Sequence, residues 1–235
     1  MEKHHSNKLK SHELLMKTFV EKATLKNHIY QNTVKSFQKL KVALKHIADN
    51  LRKEINHHSK DILVEYKEQG EFVVELKFAG DVLIFVMHTN IFHFEKDHHI
   101  WKLSYVDKDH SRSYCGMINV YNFLTDSFKY NRINDAGYLV GRIFVNKENH
   151  FFVEGKRQLG FLYNDFQNAV LDEKAIRSVV ESTILYSLSF DLYTPPYDAV
   201  KEISVQDMND ASQYLNMKTG KRVGFRFQTT DDDMR

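Results

Sequence analysis

Cysteine is nearly absent from this chain: Cys115 is the one thiol in 235 residues. That excludes an intramolecular disulfide and a thiolate zinc cluster built within one copy, and it favours a reducing compartment. Proline occurs only as Pro195 and Pro196, and all nine glycines lie at position 70 or later, so residues 1–69 hold none of the usual chain breakers. Long apolar runs are missing as well. The longest, Val82 to Met87, falls far below the roughly 18–20 residues of a membrane-crossing helix, and the first ten residues lack the apolar stretch of a signal peptide. A cytoplasmic protein without a membrane span is the expectation. The phosphate-cradling patterns G-x-x-x-x-G-K-[ST] and G-x-G-x-x-G are absent too, which removes nucleotide binding through those loops.

What is present is aromatic and charged. Phe (17) and Tyr (12) dominate an aromatic content of 13%, and that many rings need a folded interior. The net charge of +2 conceals a split: residues 1–60 carry 13 Lys/Arg against 5 Asp/Glu, leaving 20 of the 33 cations and 26 of the 31 acids to residues 61–235. The front segment therefore either docks on its own acidic body or reaches for an acidic partner or polyanion.

Hydrophobic spacing divides the chain at about residue 60. Tyr30, Val34, Phe37, Leu40, Leu44, Ile47, Leu51 and Ile55 recur at steps of three and four, which is a helical seam. Leu15, Phe19 and Ala23 form an earlier stretch at spacing four behind Ser11, a residue suited to an N-cap. One helix or two, broken near residues 26–32, fits equally. The seam has to be covered, because each large side chain left bare forgoes on the order of 1.5–3 kcal/mol. Its cover is the following sheet or the same stripe on a second chain. A homo-oligomer or protein partner would meet Tyr30, Phe37, Leu40, Leu44, Ile47 and Leu51.

From Asp61 the period becomes two. Strands are expected over 62–66, 72–78, 82–88, 91–95, 100–106, 113–121, 138–145 and 150–154, with turns at Gln69–Gly70 and Ala79–Asp81. Such short connections favour antiparallel neighbours. Helical spacing returns over 166–188, a capping-box-like start at Ser204 precedes a helix to about 217, and 222–227 is a closing strand candidate. The expected fold is α+β: a long N-terminal helix or helix pair, a central antiparallel β-meander and C-terminal helices. Its organisation is a basic segment, 1–60, and a body, 61–235, with the sheet over about 61–163 and a helical part over about 164–219.

Two constellations suggest chemistry. Asp61 with Glu75 and Lys77 forms a D…ExK arrangement. On a strand Glu75 and Lys77 share a face, where a carboxylate holds Mg²⁺ and the lysine steadies water or phosphate. Over some 25 residues this resembles the metal-dependent nuclease core of restriction-endonuclease-like enzymes, and that resemblance implies DNA or RNA cleavage. The alternative identity is a solvent-facing cross-strand ion pair. The second constellation is His93, Glu95, Asp97, His98 and His99, with imidazole and carboxylate donors that suit zinc or another transition metal, or else a hydrated polar turn. His12 and Glu13 begin H-E-x-x-H, but Met16 stands where the second histidine is needed. Cys115, between Tyr114 and Gly116, reads as a small buried hydrophobe rather than a nucleophile.

The basic residues Lys35, Lys39, Lys41, Lys45, Arg52 and Lys53 offer a face suited to following a nucleic-acid backbone, without interleaved aromatics for stacking. The function expected is a non-catalytic intracellular interaction or regulatory module working through the front helical segment. A D…ExK nuclease or nucleic-acid-binding protein and a small-ligand sensor are the alternatives. No cofactor is indicated.

Overall fold

A computed structural model of the chain describes residues 2–190, 192, 194, 196–206 and 208, with side chains from Ser11 onward except at Ala199. The front segment is one helix, α1 (Glu2–Asn56), uninterrupted because no Gly or Pro breaks its hydrogen bonding. At 1.5 Å per residue it is about 80 Å long. Seven strands follow: β1 (Val64–Glu68), β2 (Val73–Phe78), β3 (Asp81–Met87), β4 (Phe92–His93), β5 (Tyr114–Leu124), β6 (Tyr138–Asn146) and β7 (Phe151–Gly155). They form one antiparallel sheet in the order β1-β2-β3-β5-β6-β7, with β4 pairing on the near end of β5. The expected α+β architecture, with its long first helix and antiparallel meander, is the one observed.

Alternation along the central strands sends consecutive side chains to two separate cores. On one face Leu76, Phe85, Ile118, Ile143 and Val153 meet α1 and a late helix. On the other, Met117, Phe144 and Phe152 lie under the excursion between β4 and β5, which contributes Ile100, Tyr105 and Val106. That excursion departs from the sequence reading, which places a strand at 100–106. Residues His99–Lys102 form a 3-10 turn and Ser104–Asp107 a helical turn, α2. Tyr105 and Val106 are consecutive and both buried, which a strand lying on one core cannot achieve, whereas the turn aims both inward. His98 begins the segment by accepting the Ile100 N–H on its side chain.

The remaining helices are short, α3 (Thr125–Lys129) and α4 (Gln158–Leu162), then α5 (Glu173–Leu188) and a last turn, α6 (Tyr197–Val200). The helix read from 166 starts at Glu173 instead, because Asp172 caps it by accepting the Ala175 N–H at 2.7 Å. Residues 166–171 form an irregular segment, with Phe166 filling the second core. Of the helix expected from Ser204 only the first turn falls among the described residues, with Met208 N donating to Ser204 O. The strand proposed at 222–227 lies outside them.

The seam of α1 is covered by this molecule itself. Phe37, Leu40, Leu44 and Ile47 are buried in the first core, and Tyr30, Leu51 and Ile55 pack at its edge. These side chains therefore form no free docking surface, which corrects the reading that a second chain or partner meets them. Polar ties fix the register. Lys41, 5% exposed, reaches the Glu68 carboxylate at 2.9 Å and Gly70 O at 3.1 Å. Asn32 Nδ2 donates to Lys147 O at 2.7 Å, and Arg52 Nε donates to Val64 O. The helix crosses β5 at Gly116, where an added Cβ would run into the Thr33 side chain.

Candidate functional site

Burial along α1 changes abruptly. Every residue from 11 to 24 is exposed, whereas Ile29, Thr33 and Phe37 are fully buried. The helix therefore stands off the body for its first half. On that arm Leu14, Leu15 and Phe19 are 66%, 61% and 66% exposed. With Thr18 and Ala23 they line one shallow apolar face, and Lys22 and Lys26 edge it. Continuous hydrogen bonding into the buried half holds the face in place, since a helix this long is anchored by tertiary packing rather than by propensity.

Where the arm leaves the body, a cleft of about 750 Å³ opens between Val20–Leu25 of α1 and the segment joining β4 to β5. Its far wall is a chain of rings. His93 lies 4.4 Å from Tyr114 and 5.4 Å from Trp101, and Trp101 lies 5.4 Å from His110, all between centroids. The Lys96 ammonium sits 3.8 Å over Trp101, a cation–π contact. Trp101 is held by donating its indole N–H to Phe94 O. Lys22 enters from the helix side, and Glu21 is the one carboxylate on the lining. Burial holds the His93 imidazole below its ordinary pKa, and the neighbouring Lys96, His110 and Lys22 side chains push it the same way.

Beneath the cleft, the turn from β6 to β7 locks the excursion to the sheet. Tyr105 stacks on His150 at 4.8 Å, donates its O–H to Glu148 at 2.7 Å and accepts from Asn146 Nδ2 at 2.9 Å. Arg112 pairs with Glu148 at 3.0 Å, and Lys147 meets Asp109 at 2.5 Å. Asp109 also caps the 3-10 turn His110–Ser113, which aims His110 at Trp101. Every carboxylate in this lock has a cationic or hydroxyl partner, so the lock serves to place the wall of the cleft.

The residues read as a nuclease core do not converge. Asp61 lies three residues before β1, near the Phe78 end of β2, whereas Glu75 stands opposite Lys67 in mid-strand. Glu75 accepts from Gln69, and Lys77 pairs with Glu65 at 3.2 Å, its partner across the strands. A tight turn at Ala79–Gly80 leads straight into β3, where a nuclease core would have a crossover helix. The metal candidates scatter likewise. His93 faces Trp101 and Tyr114, His98 stacks on Phe94 and lies 3.5 Å from Glu154, and His99 meets Phe152 edge-on. Glu95 and Asp97 are exposed. Among the described residues no three His, Cys, Asp or Glu side chains gather as metal donors. Lys41 and Arg52, read as part of a basic face, are tied to Glu68 and to Val64 O.

Of the cleft, the sequence reading singled out only His93, and for another role. Lys22, Lys96, Trp101, His110 and Tyr114 went unnoticed. The visible signal was the density of His and aromatic residues between Phe92 and Tyr114, which a strand assignment dispersed over two faces. Comparison with protein-family models, with curated proteins and with solved structures found no match.

Proposed function

We propose that this chain is a docking module whose projecting helix, residues 11–28, receives an acidic amphipathic helix of another protein. The reading rests on one observation: Leu15 and Phe19, more than 60% exposed, share a face with Leu14 on a helix whose second half is anchored in the core. Burying such side chains stabilises a complex by on the order of 1.5–3 kcal/mol each, and the anchored helix forfeits little order on binding. The charge of the edge selects the partner. Lys22 and Lys26 flank the apolar positions, so carboxylates beside the partner's own apolar stripe complete the pairing. Two registers of a second copy leave this edge without acidic partners. Parallel pairing sets Lys22 against Lys22, and antiparallel pairing about Phe19 sets Lys22 opposite Met16 and Lys26 opposite His12.

Synthetic amphipathic helices of about five turns, identical except for Glu or Lys beside a Leu stripe, test the proposal by calorimetry and light scattering. The Glu-edged peptide is expected to bind about tenfold more tightly than its Lys-edged twin, and Leu15→Asp with Phe19→Asp to abolish binding while the circular dichroism spectrum stays unchanged. Equal affinity for both peptides, or none for either, overturns the reading. So does a dimer that the same double substitution dissociates, because it makes a second copy the occupant.

A further inference from the structure

The cleft at the root of the arm has a chemistry that the docking face does not explain. Its wall presents ring surfaces, and its cations come from both sides, Lys22 from the helix and Lys96 from the segment after β4. Both lysines lie close enough to the His93 imidazole to push its pKa down, so the two ammonium groups face the same space. Glu21 is the one carboxylate on the lining, against the two lysines; Asp109, behind the wall, is paired with Lys147 at 2.5 Å and accepts from the Ser111 hydroxyl at 2.6 Å. At about 750 Å³ the space lies in the range of small-molecule sites, roughly 300–1,000 Å³, which combine apolar walls with a few convergent polar groups.

Rings beside ammonium groups recognise a planar aromatic moiety that carries a negative charge. Aromatic side chains stack bases without regard to sequence, because every base has a π-face. Lysine binds phosphate as a point charge. We infer that this cleft binds a nucleotide, with the base against the ring wall and the phosphate between Lys22 and Lys96, whose ammonium already lies over Trp101. Two sources carry that chemistry, a free mononucleotide and one unit of a single-stranded nucleic acid. The sequence contains neither glycine-rich loop pattern that would cradle a triphosphate, so the lysines act on the anion as isolated charges.

Trp101 is the only tryptophan in the chain, so its fluorescence reports this cleft alone. The full chain is titrated with AMP, UMP, adenosine and short oligo(A) and oligo(U), following Trp101 emission and, in parallel, calorimetric heat. Saturable quenching by the monophosphates is expected, with adenosine at least about tenfold weaker for want of the anion. Lys22→Glu with Lys96→Glu, both at exposed positions, should abolish the response with an unchanged circular dichroism spectrum. Quenching by the oligonucleotides alone, lost in the same variant, assigns the site to single strands. No saturable response to any of these up to about 10 mM, a range in which even weak millimolar ligands register, overturns the inference. Adenosine binding as tightly as AMP overturns it, as does a folded double variant that binds like the wild type. Phe19→Asp, which lies outside the cleft, should leave nucleotide binding intact, so failure of the docking face and failure of the cleft are told apart.

Discussion

Cys115 has no accessible surface, and burial pushes its thiol well above the ordinary value. Thiolate is the reactive form, so the native protein should resist an aromatic disulfide reagent for as long as it stays folded, while the chain in guanidinium labels at once. Rapid stoichiometric labelling of the native protein would contradict the burial. Asp109 is the opposite case, because its hydrogen bonds with Lys147 and Ser111 hold the carboxyl well below its usual range. A depressed carboxyl pKa adds stability above the unfolded pKa, near 3.9, and that contribution disappears as the pH falls through the lower folded value. Asp109→Asn keeps the cap on Ser111 and removes only the charge. Its melting temperature should fall below that of the wild type at pH 6–7 and approach it as the pH drops below about 4. A gap that stays constant from pH 7 to 3 would mean that the Lys147 pair contributes nothing.

Among the elements, α1 and β5 cross closely at Thr33 and Gly116, and the glycine permits it. Gly116→Ala drives a methyl group into the Thr33 side chain, which is itself fully buried and bonded to Ile29 O at 2.8 Å. Overpacking of this kind costs about 1–3 kcal/mol. Chemical denaturation should show a loss in that range, partly restored by adding Thr33→Ala. An unchanged midpoint would place the helix farther from the sheet. This crossing also marks how much could be read in advance. The spacing from Tyr30 to Ile55 revealed the helix, and the alternation in Phe72 to Phe78, the turn at Ala79–Asp81 and the apolar run from Val82 revealed the hairpin, because local period follows from backbone geometry. Neither spacing carries the identity of the surface opposite, so the seam's partner was undetermined until β5, some eighty residues later in the chain, met it at Gly116. The excursion between β4 and β5, where a strand was read at 100–106, was misread for a related reason. Its 3-10 turns depend on local caps from His98 and Asp109, and a window tuned to periods of 2 and 3.6 does not register them. The cleft was hidden along with those turns.

At the scale of the whole molecule, α1 is two things in sequence, an arm and a core helix, and truncation separates them. Phe37, Leu40, Leu44 and Ile47 are at most 5% exposed, and their burial is worth on the order of 6–12 kcal/mol at about 1.5–3 kcal/mol each. That equals the total stability of a typical domain, about 5–15 kcal/mol. Removing residues 1–60 should therefore leave the sheet without its cover, as a chain that aggregates or melts without cooperativity in calorimetry. Removing residues 1–20 takes away only exposed side chains among those described, and the melting temperature should move by no more than a few degrees, the effect of about 1 kcal/mol or less in a domain of this size. The shorter deletion discards Leu14, Leu15 and Phe19 but keeps Lys22 and Leu25 at the mouth of the cleft. It should lose the Glu-edged peptide and still quench Trp101 with AMP. A cooperative, full-strength melt after deletion of 1–60 would show that the body folds without its helix, and the division of α1 into arm and core would then fail.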